Sequence, residues 1–322
     1  MILQSPFKYE KDRISIDEEI SNNTITIDNI DYFAYYINLE YKNNKGANSY
    51  IFALYQAQCF DGIEQSNPDL VIKISNKRDH KEEKSESNMR FYREIEALER
   101  CAKNNVPNVV KIHLSGQLIC NGKNKRGQDI KYYFPFYVMD YASCDLKKYL
   151  EDNPIDYYNK IDLCLQIAKG LKDLKDLGYY HRDLKPDNIL IFNNNTWKIG
   201  DLGLITYRDD DELYDKKNEF IGPKGWLSPE AMNKYLYREN NEYDLDCKID
   251  HQSDIFQLGK VFWYIFQGNV PIGKVCRTDY FDKNDDIYEL LIQMLAHSKS
   301  NRPTTIDYVI NKLNNVIQNQ KI

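Results

Sequence analysis

The chain of 322 residues is 42% hydrophobic and 29% charged, with a formal charge of −6 at neutral pH, the profile of an ordinary globular protein long enough for two lobes of unequal size. Its negative charge argues against nucleic acid or an anionic membrane as the main partner and leaves room only for a local basic groove. The longest apolar run near the end, residues 261–266, is far too short to span a bilayer. No signal-peptide core follows Met1, Ile2, Leu3 and Gln4, and seven scattered cysteines form no C-x-x-C pair; reduced thiols and a cytoplasmic location are therefore expected. Nothing in the sequence speaks to oligomeric state.

In chain order, residues 1–30 are an N-terminal extension of unreadable role, where the alternation of Ile14, Ser15, Ile16 and of Ile25, Thr26, Ile27 predicts short strands packed on the first lobe. Residues 35–41 and 50–60, rich in Tyr and β-branched side chains, predict a hairpin around a turn at 42–49. Residues 70–74 read as a buried strand interrupted by one ammonium, Lys73. Residues 86–103 predict a helix with Phe91, Ile95, Leu98 and Ala102 on one stripe, and Glu94 falls on that same side. A buried carboxylate calls for a cation, and a buried lysine for an anion, so each of Lys73 and Glu94 explains the other. Two further strands are expected at 109–119 and 131–141, joined by a basic loop, and a strong helix at 157–177 stops at Gly178.

Residues 189–192 and 197–200 flank turn-forming residues and predict a second hairpin. Such a hairpin sets Asn188 beside Asp201, two hard oxygen donors suited to Mg²⁺. Asp183 and Lys185 lie just upstream, near enough to add a proton acceptor and a fixed positive charge.

The run H-R-D-L-K-P-D-N at 181–188, followed by Asp201, Leu202 and Gly203, resembles the catalytic and metal loops of the eukaryotic-type (Hanks-type) protein kinases. The resemblance covers residues 35–315. It implies an α+β bilobal fold: a small lobe at 31–141 made of an antiparallel sheet and one helix, and a mainly α-helical large lobe at 142–322. It implies ATP and Mg²⁺ as cofactors and a protein substrate, with Asp183, Lys185, Lys73 and Glu94 as catalytic residues and Asn188 and Asp201 as metal ligands. Gly46, Ser49 and Ile51 stand in the glycine-rich loop, where one of three glycines survives. Val71, Met139, Asp140, Ala142, Asp145 and Leu190 complete the implied nucleotide site. Asp254 matches the residue that anchors the large lobe, and Arg302 is expected to pair with Glu230.

Departures from the family pattern are specific. Leu202 replaces Phe, and Pro223 replaces the Thr that touches the catalytic Asp and Lys. An insertion falls at 233–247. No Ser or Thr lies between Tyr207 and Leu227, so only Tyr214 offers a phosphate acceptor there; the acidic residues 209–212, Asp215 or Glu219 are candidates to pair with Arg182 instead, which predicts a segment ordered without phosphorylation. Lys185, in D-L-K-P, accompanies Ser/Thr rather than Tyr kinases in the family. The expectation is therefore a serine/threonine-protein kinase. The alternative is a pseudokinase that serves as a binding module. A small-molecule kinase is disfavoured by Ser228, Pro229, Glu230 and the Arg302, Pro303 pair.

Overall fold

The computed structural model describes residues 2–37, 48–63, 65–192, 195–208, 215, 221–236, 245–281 and 284–319. The chain divides into two compact units, one of residues 1–99 and 111–141, the other of residues 100–110 and 142–322.

The first unit is built from β1 (Ile2–Glu10), β2 (Arg13–Ser15), β3 (Thr24–Ile27), β4 (Ile30–Tyr36), β5 (Ser49–Gln56), β6 (Leu70–Ser75), residues 89–99 of α1 (Met89–Lys103), β7 (Ile112–Lys123) and β8 (Asp129–Asp140). Among the described residues these strands form one sheet of eight, in the order β2-β1-β7-β8-β6-β5-β4-β3. All neighbours are antiparallel except β1 and β7, which run parallel, so the sheet is mixed rather than purely antiparallel. β1 carries Pro6, which has no N–H for the ladder, and its register against β7 shifts between Gln4 and Lys8. The strand expected from 35 starts earlier, at Ile30, and the turn with Asn44 and Gly46 lies outside the described residues.

The N-terminal strands supply part of this unit's core. Phe7, Ile14, Ile16, Ile25 and Ile27 are buried in one cluster with Phe52, Leu54, Ile72, Ile74, Leu118, Phe134 and Phe136, and the Phe7 and Phe52 ring centroids lie 4.7 Å apart. Both faces of β6 are buried. Ile72 and Ile74 point into that cluster, while Val71 and Lys73 occupy the opposite face, which is why the strand reads as a nearly unbroken apolar run. On α1 the buried stripe ends in Ala97, Leu98 and Cys101, whereas Ala102 is half-buried.

The second unit contains β9 (Cys144–Asp145), α2 (Leu146–Asp152), α3 (Tyr157–Asp176), β10 (Tyr179–Tyr180), β11 (Ile189–Phe192), β12 (Thr196–Ile199), β13 (Thr206–Tyr207), α4 (Pro229–Leu236), α5 (His251–Gln267), α6 (Asp285–Met294) and α7 (Ile306–Asn319). Helix α5 is apolar nearly all round and accordingly buried; Asp250 and Ser253 cap its start reciprocally, and Gly268 ends it with φ of 72°. Glu230 on α4 and Arg302, both buried, meet at 2.7 Å. The first residues of the expected insertion are the last turn of α4, where Asn233 donates to the Asp246 carbonyl at 2.9 Å. No helix among the described residues is long and apolar enough to cross a membrane.

Candidate active site

Residues 181–184 are held against α5 by two buried side chains. Asp254 accepts the backbone N–H of His181 and of Arg182, each at 2.8 Å. Gln257 accepts Leu184 N–H and donates to the Arg182 carbonyl, each at 3.1 Å. These bonds hold Arg182 at φ 66°, a left-handed conformation that costs a bulky residue about 1–3 kcal/mol. Burial pushes the His181 imidazole down to about 4, so it is neutral at physiological pH. Nδ1 then accepts Asp183 N–H at 3.2 Å and Nε2 faces the Gly200 carbonyl at 3.4 Å, which fixes the tautomer.

Asp183 is thereby presented with its side chain only 12% exposed. Asn188 Nδ2 donates to Asp183 Oδ2 at 2.9 Å and to its carbonyl at 2.8 Å, and Lys185 Nζ lies 3.4 Å from Oδ2. Burial pushes the Asp183 carboxyl up to about 6; the Lys185 ammonium pulls against that rise and the Asp201 charge adds to it.

Pairing of Ile189 with Ile199, together with the 2.8 Å bond from Gly200 N–H to the Asn188 carbonyl, closes the hairpin and sets Asp201 one residue past Asn188's partner. Because the amide nitrogen of Asn188 is committed to Asp183, Oδ1 is turned away, and among the described residues no donor reaches it. Asp201, at φ 48°, is exposed. No group of three or more His, Cys, Asp or Glu forms a closed metal cage among the described residues. The donor set at 188 and 201 instead fits Mg²⁺, which takes one or two protein oxygens and leaves its other positions to water and phosphate.

The Arg182 side chain reaches a separate partner. Nη1 and Nη2 each donate to Asp215 at 2.8 Å in a two-pronged pair, Nε donates to the Leu204 carbonyl at 2.8 Å, and Lys234 Nζ joins Asp215 at 3.1 Å. Burial opposes the Asp215 charge, but the Arg182 hydrogen bonds and the Arg182 and Lys234 charges outweigh it and hold the carboxyl below the usual carboxylate range. Tyr214 and residues 209–212 and 219 lie outside the described residues.

Within the first unit, Lys73 Nζ lies 2.9 Å from Glu94 Oε1, both buried, and Tyr137 donates its hydroxyl to the same oxygen at 2.9 Å. Ile51 pairs with Lys73 and Val71 with Met139 across the sheet. Ser49 is buried at the start of β5 opposite Ser75, and Asp140 pairs with His113 at 2.6 Å. Ala142, Asp145 and Leu190 belong to the second unit. There Asp145 faces Leu190 across β9 and β11, and its Oδ1 caps α2 by accepting Lys148 N–H at 2.9 Å. Tyr137 and Gln257 make these contacts without being singled out by the sequence motifs. A lone amide in the apolar run of α5 was a usable signal for Gln257, whereas Tyr137 was one tyrosine in an aromatic strand.

The family model described as protein tyrosine and serine/threonine kinase matches residues 45–313. The chain belongs to this kinase family. It is 29% identical over 266 residues to the sensor for unfolded proteins in the ER, ire1, of Schizosaccharomyces pombe, covering 69% of this chain and 23% of that protein. It is 27% identical over 290 residues to fibroblast growth factor receptor 1 of Dugesia japonica, covering 84% and 31%. With a probable serine/threonine-protein kinase of Clostridium acetobutylicum it shares 29% identity over 184 residues, 56% and 24%. The kinase spans less than a third of the length of each of these relatives.

For this kinase, Asp215→Ala is expected to leave the Arg182 guanidinium buried without its counter-charge, a loss of about 3–5 kcal/mol for a broken buried pair. Because Arg182 adjoins Asp183, the initial rate of peptide phosphorylation should fall by at least about tenfold. Unchanged rates in Asp215→Ala would show that the pair does not position the catalytic loop.

Proposed function

We propose that this kinase transfers the γ-phosphoryl group of ATP, in the presence of Mg²⁺, to Ser or Thr hydroxyls of protein substrates. The observation that carries the proposal is the Asp183 carboxylate, ordered by Asn188, with the Lys185 ammonium 3.4 Å away. Asp183 takes the proton of the substrate hydroxyl as its oxygen attacks. Lys185 neutralises charge that develops on the transferred oxygens. Lys73, oriented by Glu94 and Tyr137, binds the α- and β-phosphates, and Ser49, Ile51, Val71, Met139 and Asp140 of the same unit contribute to nucleotide binding. Asn188 and Asp201 would hold Mg²⁺, which would offset phosphate charge when bound.

Specificity for Ser and Thr rests on Lys185 in D-L-K-P, since the relatives include both a probable serine/threonine-protein kinase and a tyrosine-protein kinase. The seven cysteines are all unpaired, which supports a reducing compartment such as the cytoplasm. Pro223 and the single glycine of the first hairpin turn favour the second reading, a pseudokinase binding module. Two measurements separate them. Thermal stability should rise with ATP and Mg²⁺ together more than with ATP alone, and labelling of a degenerate peptide library should fall on Ser and Thr rather than Tyr. Nucleotide binding without label transfer supports the pseudokinase, and label on Tyr overturns the specificity.

A further inference from the structure

The first unit carries a second charged feature on an otherwise acidic chain. An open cavity of about 470 Å³ is lined by the loop from Arg78 to Lys81 and by Lys131, Tyr132 and Tyr133 of β8. Its volume lies within the roughly 300–1,000 Å³ of small-ligand pockets and exceeds the needs of a bare anion.

The wall is built rather than loose. Asp79 N–H donates to the Tyr133 carbonyl at 2.8 Å. Its buried carboxylate accepts Ser85 N–H at 3.0 Å, Asn88 Nδ2 at 2.7 Å and the Tyr92 hydroxyl. Gln117 Nε2 holds the His80 carbonyl at 3.0 Å. The one acid of the lining is thus turned inward with its oxygens occupied. Arg78, Lys81 and Lys131, all exposed, set the sign of the field in the cavity, and the Glu82 carboxylate lies 3.9 Å from Lys81.

Arg78 is also oriented in advance. Its guanidinium lies 5.6 Å from the Tyr9 ring and 5.3 Å from the Tyr132 ring, and those rings are 4.7 Å apart. Gly122 permits this stack, because a Cβ there would sit 2.2 Å from the Tyr9 carbonyl and 3.0 Å from the Tyr132 ring. Among the described residues no acceptor bonds the guanidinium, so its planar fork is presented to a ligand without loss of an internal bond. Tyr9 belongs to β1, outside the span matched by the family model.

We propose that this cavity binds a phosphorylated side chain of a protein, with the phosphoryl oxygens on Arg78 and Lys131 and the flanking residues against Tyr132 and Tyr133. The net charge of −6 repels extended polyanions such as nucleic acid or an anionic membrane. A single phosphoryl group brings only about two charges, which the three cations Arg78, Lys81 and Lys131 outweigh. The inference does not depend on phosphoryl transfer at Asp183.

Fluorescence anisotropy with a labelled phosphoserine peptide of uncharged flanks tests it, against the unphosphorylated peptide and against inorganic phosphate. The phosphopeptide should bind, more weakly as salt rises, and Arg78→Ala should weaken it by about tenfold or more. Lys131→Glu, at an exposed strand position apart from the tyrosine stack, should abolish binding with the melting temperature unchanged. Equal binding of both peptides, inorganic phosphate binding as tightly as the phosphopeptide, or unaltered affinity in Lys131→Glu overturns the proposal.

Discussion

Replacing Asp183 by Asn is expected to lower the rate of peptide phosphorylation by about 10²–10⁴-fold, the usual contribution of a positioned proton acceptor, while leaving the fold intact. The amide keeps the size of the carboxylate but cannot take a proton from a substrate hydroxyl. A neutral group here also leaves Lys185, at 3.4 Å, without its counter-charge. The same carboxyl sets a pH dependence. On the proposed mechanism its ionised form is the working form, and burial raises its pKa to about 6, so the wild-type rate should rise through pH 6 to a plateau and fall as protonation neutralises the base below it. Residual activity of Asp183→Asn should lack that limb. Rates of Asp183→Asn within a few-fold of wild type, or a wild-type profile flat from pH 5 to 7, would remove Asp183 from the mechanism.

Deleting residues 1–28 is expected to leave the first unit unable to fold. Phe7, Ile14, Ile16, Ile25 and Ile27 are each at most 7% exposed, and burial of each contributes about 1.5–3 kcal/mol. Together they approach about 8–15 kcal/mol, an upper estimate, against a net stability of about 5–15 kcal/mol for a whole domain. Deletion also bares Phe52, Ile72 and Ile74 and uncovers the edge of β7. Phe7→Ala, which keeps the strand, should cost about 3–5 kcal/mol and shift the denaturant midpoint with a cooperative transition preserved. A truncated protein that is soluble and melts at the wild-type temperature would refute this account.

The N-terminal strands also mark where the sequence stopped being legible. Alternation at Ile14 and Ile25 pointed to β2 and β3, but β1 mixes polar and apolar residues around Pro6 and has no regular period, so its parallel pairing with β7 was invisible. Local periodicity says nothing of a partner more than a hundred residues away. Lys73 and Glu94 were readable because each is anomalous by itself and the two anomalies cancel at 2.9 Å. Asn188 and Asp201 were readable because a short hairpin fixes the distance between its own ends. Arg182 offered no such constraint: several acids were equivalent candidates, and only the fold selects Asp215. In the last turn of α1 Cys101 rather than Ala102 takes the buried place, since positions three and four after Leu98 flank its line at about 60° and about 40° on opposite sides.

A carboxylate that clasps Arg182 and Lys234 is written into the gene. Phosphatases can erase an added phosphate, but they have nothing to hydrolyse at Asp215, and because its partners hold the carboxyl below the ordinary range, acidification that silences Asp183 leaves this clasp closed. A clasp of this kind needs no modifying enzyme to form.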